Sequence, residues 1–151
     1  MNVKPNTANA KALDELRSHH LRPQDMPWQK LRFPGCEAKT LLFDPRSGLA
    51  TLLFRMEPGA VLPDHEHVLI EQTYVLEGSL VDKEGPDAGT VVGPGEFVWR
   101  PAGSRHVAWS PNGGTFIAIF QIPNKFFEKD GRVTDPTGKD WEATWGQLLP
   151  K

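Results

Sequence analysis

The chain has 151 residues, 38% of them hydrophobic, with 14 glycines, 14 prolines and a formal net charge of -2. That length suits one domain. The near-neutral charge, with no basic stripe, argues against a nucleic-acid surface, and a lone cysteine, Cys36, excludes an intrachain disulfide framework and permits a reducing compartment.

From the N-terminus, Met1 to Asn9 is polar and broken by Pro5, and is expected to be disordered. Ala10 to His20 places Leu13 and Leu16 on one face, which predicts a short helix. Residues 1–25 then form an arm that packs on the body of the fold or on a second subunit. His19 and His20 read as a solvated helix end rather than as metal ligands. This opening stretch has no signal-peptide core, and no apolar run approaches the ~18 residues of a membrane span, so a soluble, cytoplasmic protein without a membrane partner is expected.

Residues 26–124 read as strands separated by turns. Trp28 to Phe33 is the first, ended by Pro34-Gly35. Lys39 to Asp44 and Leu49 to Glu57 are joined by Pro45-Arg46-Ser47-Gly48 as a hairpin. The second of these runs is apolar on both faces, which makes it the candidate contact of a homodimer. Pro58-Gly59 leads into a strand carrying His65, His67 and Glu71, and Tyr74 to Asp82 continues it with a bend at Glu77-Gly78. Thr90 to Val92, Glu96 to Arg100, Arg105 to Ser110 and Thr115 to Ile122 follow. Gly93-Pro94-Gly95 has proline and glycine where a type II turn wants them. In residues 125–151 the pattern changes to a loop or hairpin around Asp130-Gly131 and a helix from Asp140 to Leu149, capped by Asp140 and packed on the outside of a sheet through Trp141 and Trp145. Short strands with a helix at each end indicate an all-β fold, an antiparallel sandwich or jelly roll.

The chemistry lies in two stretches. Strand side chains alternate faces, so His65 and His67 point the same way, and Glu71 joins them if the strand is unbroken. His106 closes the set from a second strand. Three imidazoles and one carboxylate around an octahedral ion leave two positions open, a catalytic arrangement close to the two-His, one-carboxylate iron sites. A structural zinc site would instead fill its four positions and usually recruits cysteine.

Gly59 to Gly78 fits the cupin pattern G-x5-H-x-H-x3-E-x6-G at every fixed position. Gly95 to Ser110 fits G-x5-P-x-G-x2-H-x3-N except at its last position, where Ser110 stands for Asn. The chain therefore resembles the cupin superfamily over Gly59 to Ser110, extending to about Lys39 to Ile122. The resemblance implies a cupin jelly-roll barrel (double-stranded β-helix) with the metal near its middle, held by His65, His67, Glu71 and His106. The tail Asn124-Lys-Phe-Phe-Glu-Lys-Asp-Gly-Arg-Val133 narrows the likeness to small single-domain cupins grouped with acetylacetone-cleaving and 2,4'-dihydroxyacetophenone dioxygenases, which also resemble the cupin half of zinc-binding anti-sigma factors. The acetylacetone enzyme is thought to hold iron with three His and no Glu, so Glu71 departs from it.

These readings imply one divalent metal ion, Fe(II) first, with Zn, Mn or Ni also compatible. The expected activity is a non-haem dioxygenase acting on a small carbonyl or β-diketone-like substrate. A metal-dependent isomerase or lyase and a zinc-loaded sensor are the alternatives. Arg100, Arg105 and Gln121 are candidate substrate contacts, and a solvated surface arginine is the plainer reading for the first two. On Glu96 to Arg100, either Phe97 and Trp99 or Val98 and Arg100 face inward; Tyr74, off the ligand parity, faces out.

Overall fold

The computed structural model describes residues 16–149. Its strands are β1 (Gln29–Lys30), β2 (Cys36–Asp44), β3 (Leu49–Met56), β4 (Ala60–Glu66), β5 (Glu71–Gly78), β6 (Leu80–Glu84), β7 (Val91–Val92), β8 (Phe97–Arg100), β9 (Arg105–Ser110), β10 (Gly114–Gln121), β11 (Lys125–Phe127) and β12 (Val133–Thr134), with one α-helix among the described residues, α1 (Trp141–Trp145). They form two six-stranded antiparallel sheets, ordered β1-β2-β3-β10-β5-β8 and β12-β11-β4-β9-β6-β7, which face each other as a jelly-roll barrel.

Alternation drives the closure, because apolar residues two apart line one face. Across the first sheet the register aligns Ala38, Phe54, Phe116 and Val75 in one inward row. Opposite them, Leu80, Ala108 and Phe126 of the second sheet complete a shared core. The sheet-to-sheet transitions fall at turns. At Gly78, φ is +71° and an added Cβ would lie 1.9 Å from the Gly113 carbonyl oxygen, so only glycine fits. At Pro94-Gly95, Gly95 has φ +78° and Glu96 N–H bonds to the Gly93 carbonyl at 3.0 Å, completing the expected turn.

The sequence and the fold part company at five places. The strand expected over Trp28 to Phe33 pairs only at Gln29–Lys30, because Phe33 turns inward to a buried position where Cys36 N–H bonds its carbonyl. The ligand strand is broken, since β4 ends at Glu66 and Glu71 begins β5 in the other sheet. The chain crosses between sheets again at Gly78, so Tyr74 to Asp82 is two strands. Leu16 to His20 is turn and irregular chain, and the rest of the helix expected from Ala10 lies outside the described residues.

The C-terminal helix is shorter than expected, passing into a 3-10 turn over Gly146–Leu148. Asp140 caps it, with its Oδ1 accepting from Ala143 N–H at 2.8 Å. Trp141 is buried and donates from Nε1 to the Pro123 carbonyl at 2.7 Å. Trp145 meets Phe43 edge-on and donates to Asp135 Oδ2 at 2.9 Å.

Candidate metal centre

β4 and β9 pair with His65 directly opposite His106. His67 sits just past β4, where its backbone is clamped by His67 N–H to the Ser104 carbonyl (2.8 Å) and Gly103 N–H to the His67 carbonyl (2.7 Å). The three rings converge, with centroids 4.5 to 5.0 Å apart. One ring nitrogen from each lies within 4.8 Å of the others, and all three residues are buried.

The remaining nitrogens define how the rings are held. His65 Nδ1–H donates to the Pro63 carbonyl at 2.6 Å, and His106 Nδ1–H donates to Asp82 Oδ1 at 2.8 Å. A carbonyl and a carboxylate can only accept, so Nε2 of each ring keeps its lone pair, the arrangement usual behind metal-bound histidine. His65 Nε2 is buried with no hydrogen-bond partner. His67 Nε2 and His106 Nε2 are 3.0 Å apart, which is the separation expected of two nitrogens each ~2.1 Å from one ion at a right angle. Burial first, and the neighbouring imidazoles second, push His65 down to about 3, so it stays neutral. An unpaired, buried imidazole lone pair with two further rings converging on it fits a metal ion.

Glu71 lies beside this cluster rather than in it. Its Oε2 is 2.8 Å from His67 Nδ1, a nitrogen that has no other partner. Burial works to raise the Glu71 carboxyl, but His67, with His65 and Arg100 adding, outweighs it and holds Glu71 down at about 2.

Arg100 faces inward with Val98, leaving Phe97 and Trp99 outside. It is 7% exposed and forks onto Asp82, with Nη2 to Oδ1 at 2.9 Å and Nη1 to Oδ2 at 3.1 Å, while its Nε is 3.9 Å from Glu71. Arg105 is exposed, paired with Asp64 and stacked on Phe127. Gln121 is exposed and donates to the Ser47 carbonyl. Neither lines the cavity at the histidines. Asp82, only 4% exposed, is the residue that pattern reading overlooked. A charge following the apolar pair Leu80-Val81 inside a strand was its one visible signal.

A protein-family model described as the ChrR cupin-like domain matches residues 17–125. The chain belongs to that cupin family. Among solved structures it is similar to an acetylacetone dioxygenase from Acinetobacter johnsonii, with 19% identity over 88% of this chain and 92% of that one and a TM-score of 0.71. An RmlC-like cupin from Ralstonia eutropha JMP134 gives 19% identity over 91% and 88%, TM-score 0.69. The structure of Rhodobacter sphaeroides SigE in complex with the anti-sigma ChrR gives 22% over 66% of this chain and 50% of that one, TM-score 0.54. Identities this low speak for the fold. No curated protein matches the chain.

The cupin barrel encloses a cavity of about 90 Å³ beside the histidines. Leu31, Phe54, Leu62, Phe116 and Phe126 wall it, and His65, His106, Glu71, Thr73 and Asn124 supply its polar groups. Among the described residues no lysine or arginine lines it. Among the described residues no helix is long and apolar enough to cross a membrane.

Proposed function

We propose that this cupin holds one divalent metal ion through His65, His67 and His106, with Glu71 contributing its carboxylate from the opposite sheet, and that it acts as an Fe(II) dioxygenase on a small carbonyl or β-diketone-like compound. The observation that carries the reading is the buried cluster of three converging imidazoles, one with an unpaired Nε2. Fe(II) bound there would supply a Lewis acid for a chelating carbonyl substrate and the redox chemistry for oxygen. The chain's own residues do the rest. Pro63 and Asp82 fix the tautomers of His65 and His106, and the apolar wall keeps bulk water from the reacting atoms.

The test is metal analysis of protein purified without added metal, then oxygen uptake after anaerobic Fe(II) loading with acetylacetone and aryl ketones. About one iron per chain and uptake that His106→Ala abolishes support the proposal. Iron loading with no uptake overturns the dioxygenase and leaves an isomerase or lyase. The ChrR-like family match favours one second reading, a zinc-loaded sensor of a small molecule. Tightly held zinc, no turnover and ligand-dependent binding of a partner protein would establish it.

We further propose that two copies pair through the outer face of the first sheet. The register lines up Leu53, Ile117, Tyr74 and Phe97 in one outward row, with Ile119, Gln72 and Trp99 in the next. Phe97 is 53% and Trp99 57% exposed, on the edge strand β8. With Tyr74 and Leu76 they leave on the order of 400 Å² of apolar surface open, about half of what one partner contributes to a standard interface of ~800 Å² per side. The one charged residue that continues these rows, Lys39 opposite Leu53, is buried and bonded to the Pro23 carbonyl, so two copies meet there without like-charge repulsion. Sedimentation equilibrium at micromolar concentration should give a dimer that Trp99→Lys dissociates; a wild-type monomer refutes the pairing.

A further inference from the structure

Asn124 is 9% exposed, lines the cavity at the histidines, and its Oδ1 has no hydrogen-bond partner. Buried polar atoms are nearly always paired, and an exception asks for an explanation. The other polar groups of the cavity are spoken for. Thr73 Oγ1 lies 3.3 Å from Glu71 Oε1, Glu71 meets His67, and the imidazoles belong to the metal centre.

The backbone that delivers Asn124 is held in an unfavourable shape. Ile122 has φ +65°, the one non-glycine residue with positive φ among those described, and it is β-branched. Such a residue rarely occupies the left-handed region, and strain of this kind persists only where the surroundings over-determine it. Here they do, since Ile122 N–H bonds the Gly48 carbonyl at 2.9 Å and Trp141 Nε1–H bonds the Pro123 carbonyl at 2.7 Å. The kink ends β10 at Gln121 and turns the chain across the barrel, so that Asn124 faces the cavity.

We propose that Asn124 is the specificity residue of this cavity, where its amide oxygen accepts a hydrogen bond from a hydroxyl or N–H group of a neutral ligand whose body is apolar. The walls favour such a body, and away from the metal centre no cationic side chain among the described residues lines the cavity to compensate an anion, the nearby Arg100 being committed to Asp82. A ligand lacking the donor leaves the amide unpaired, which is how a built polar contact discriminates. The proposal takes the cavity as the substrate site of the function above, but the contact itself does not require the metal.

Phenol and toluene test it, having the same number of heavy atoms and differing in one donor. Their affinities are measured by titration calorimetry on the full chain, metal-free and after loading with redox-inert Zn(II), for wild type and for Asn124→Leu and Asn124→Ala. The expected result is phenol binding weakened about tenfold in both variants, equivalent to ~1.4 kcal/mol, with toluene binding unchanged or tightened. Retained toluene binding shows that the variants keep the cavity. In wild type, phenol should also shift the Asn124 side-chain amide resonances, a readout that needs no variant to fold. Parallel changes for both ligands, or amide resonances that phenol leaves in place, overturn the proposal. Failure of the metal-free protein to bind zinc would count against the metal reading alone, because the metal-free arm still tests Asn124.

Discussion

Replacing Asp82 by asparagine separates the folding role of this residue from its role at the metal centre. Its carboxylate is 4% exposed and accepts three bonds, two from Arg100 and one from His106 Nδ1. Asparagine keeps the shape but offers one acceptor where two oxygens served, and its NH₂ faces a donor. Arg100 then stays buried with no full counter-charge, Glu71 being 3.9 Å from Nε. Removing one partner of a buried pair costs ~3–5 kcal/mol. Asp82→Asn should sit at the low end of that range in metal-free urea unfolding at pH 7. Losing the support behind His106 should weaken metal binding ~10–100-fold in chelator competition. The double variant Asp82→Leu/Arg100→Leu removes both charges, so most of the stability should return, while metal affinity stays low because His106 Nδ1–H then has no acceptor at all. Unchanged stability in Asp82→Asn, or a double variant that regains metal affinity, would refute the reasoning.

Three further outcomes are expected. Burial works to raise the Asp135 carboxyl, but bonds from Thr137, Trp145 and Lys139 outweigh it and hold it below its usual range. Its stabilisation is therefore full above an unfolded value of ~3.9 and disappears as pH falls through the lower folded value; Asp135→Asn should flatten that acid limb in urea melts at stepped pH. Gly78→Ala places a Cβ against the Gly113 carbonyl at positive φ, and should lower thermal stability by at least the ~1–3 kcal/mol typical of overpacking or drive the protein into inclusion bodies; a wild-type melting curve would contradict the contact. Cys36 is buried and its thiol is pushed up to about 11 by burial first and Glu57 second, so a thiol reagent should label it only on unfolding; fast native labelling would count against its burial.

The spacing of His65, His67, Glu71 and His106, with glycines at 59, 78, 95 and 103, was enough to indicate a barrel and the histidine cluster, because turns and alternation are local properties. The outward placing of Tyr74 and the Asp140 cap were equally local. Other features depend on which strands become neighbours. The chain crosses between sheets at residues 67–70, so Glu71 reaches the site from across the barrel and meets His67, where strand parity had put it on the same strand. Arg100 is buried because β5–β8 pairing aims it toward Asp82 of the opposite sheet, a contact 18 residues away in sequence. Arg105 and Gln121 find partners outside the cavity, in Asp64 and Ser47. Asn124 has no motif around it and gains its place from a strained turn held by Gly48 and Trp141. Residue types and short spacings determine which groups are available for chemistry; long-range packing alone decides which of them face one cavity and which are used up on each other.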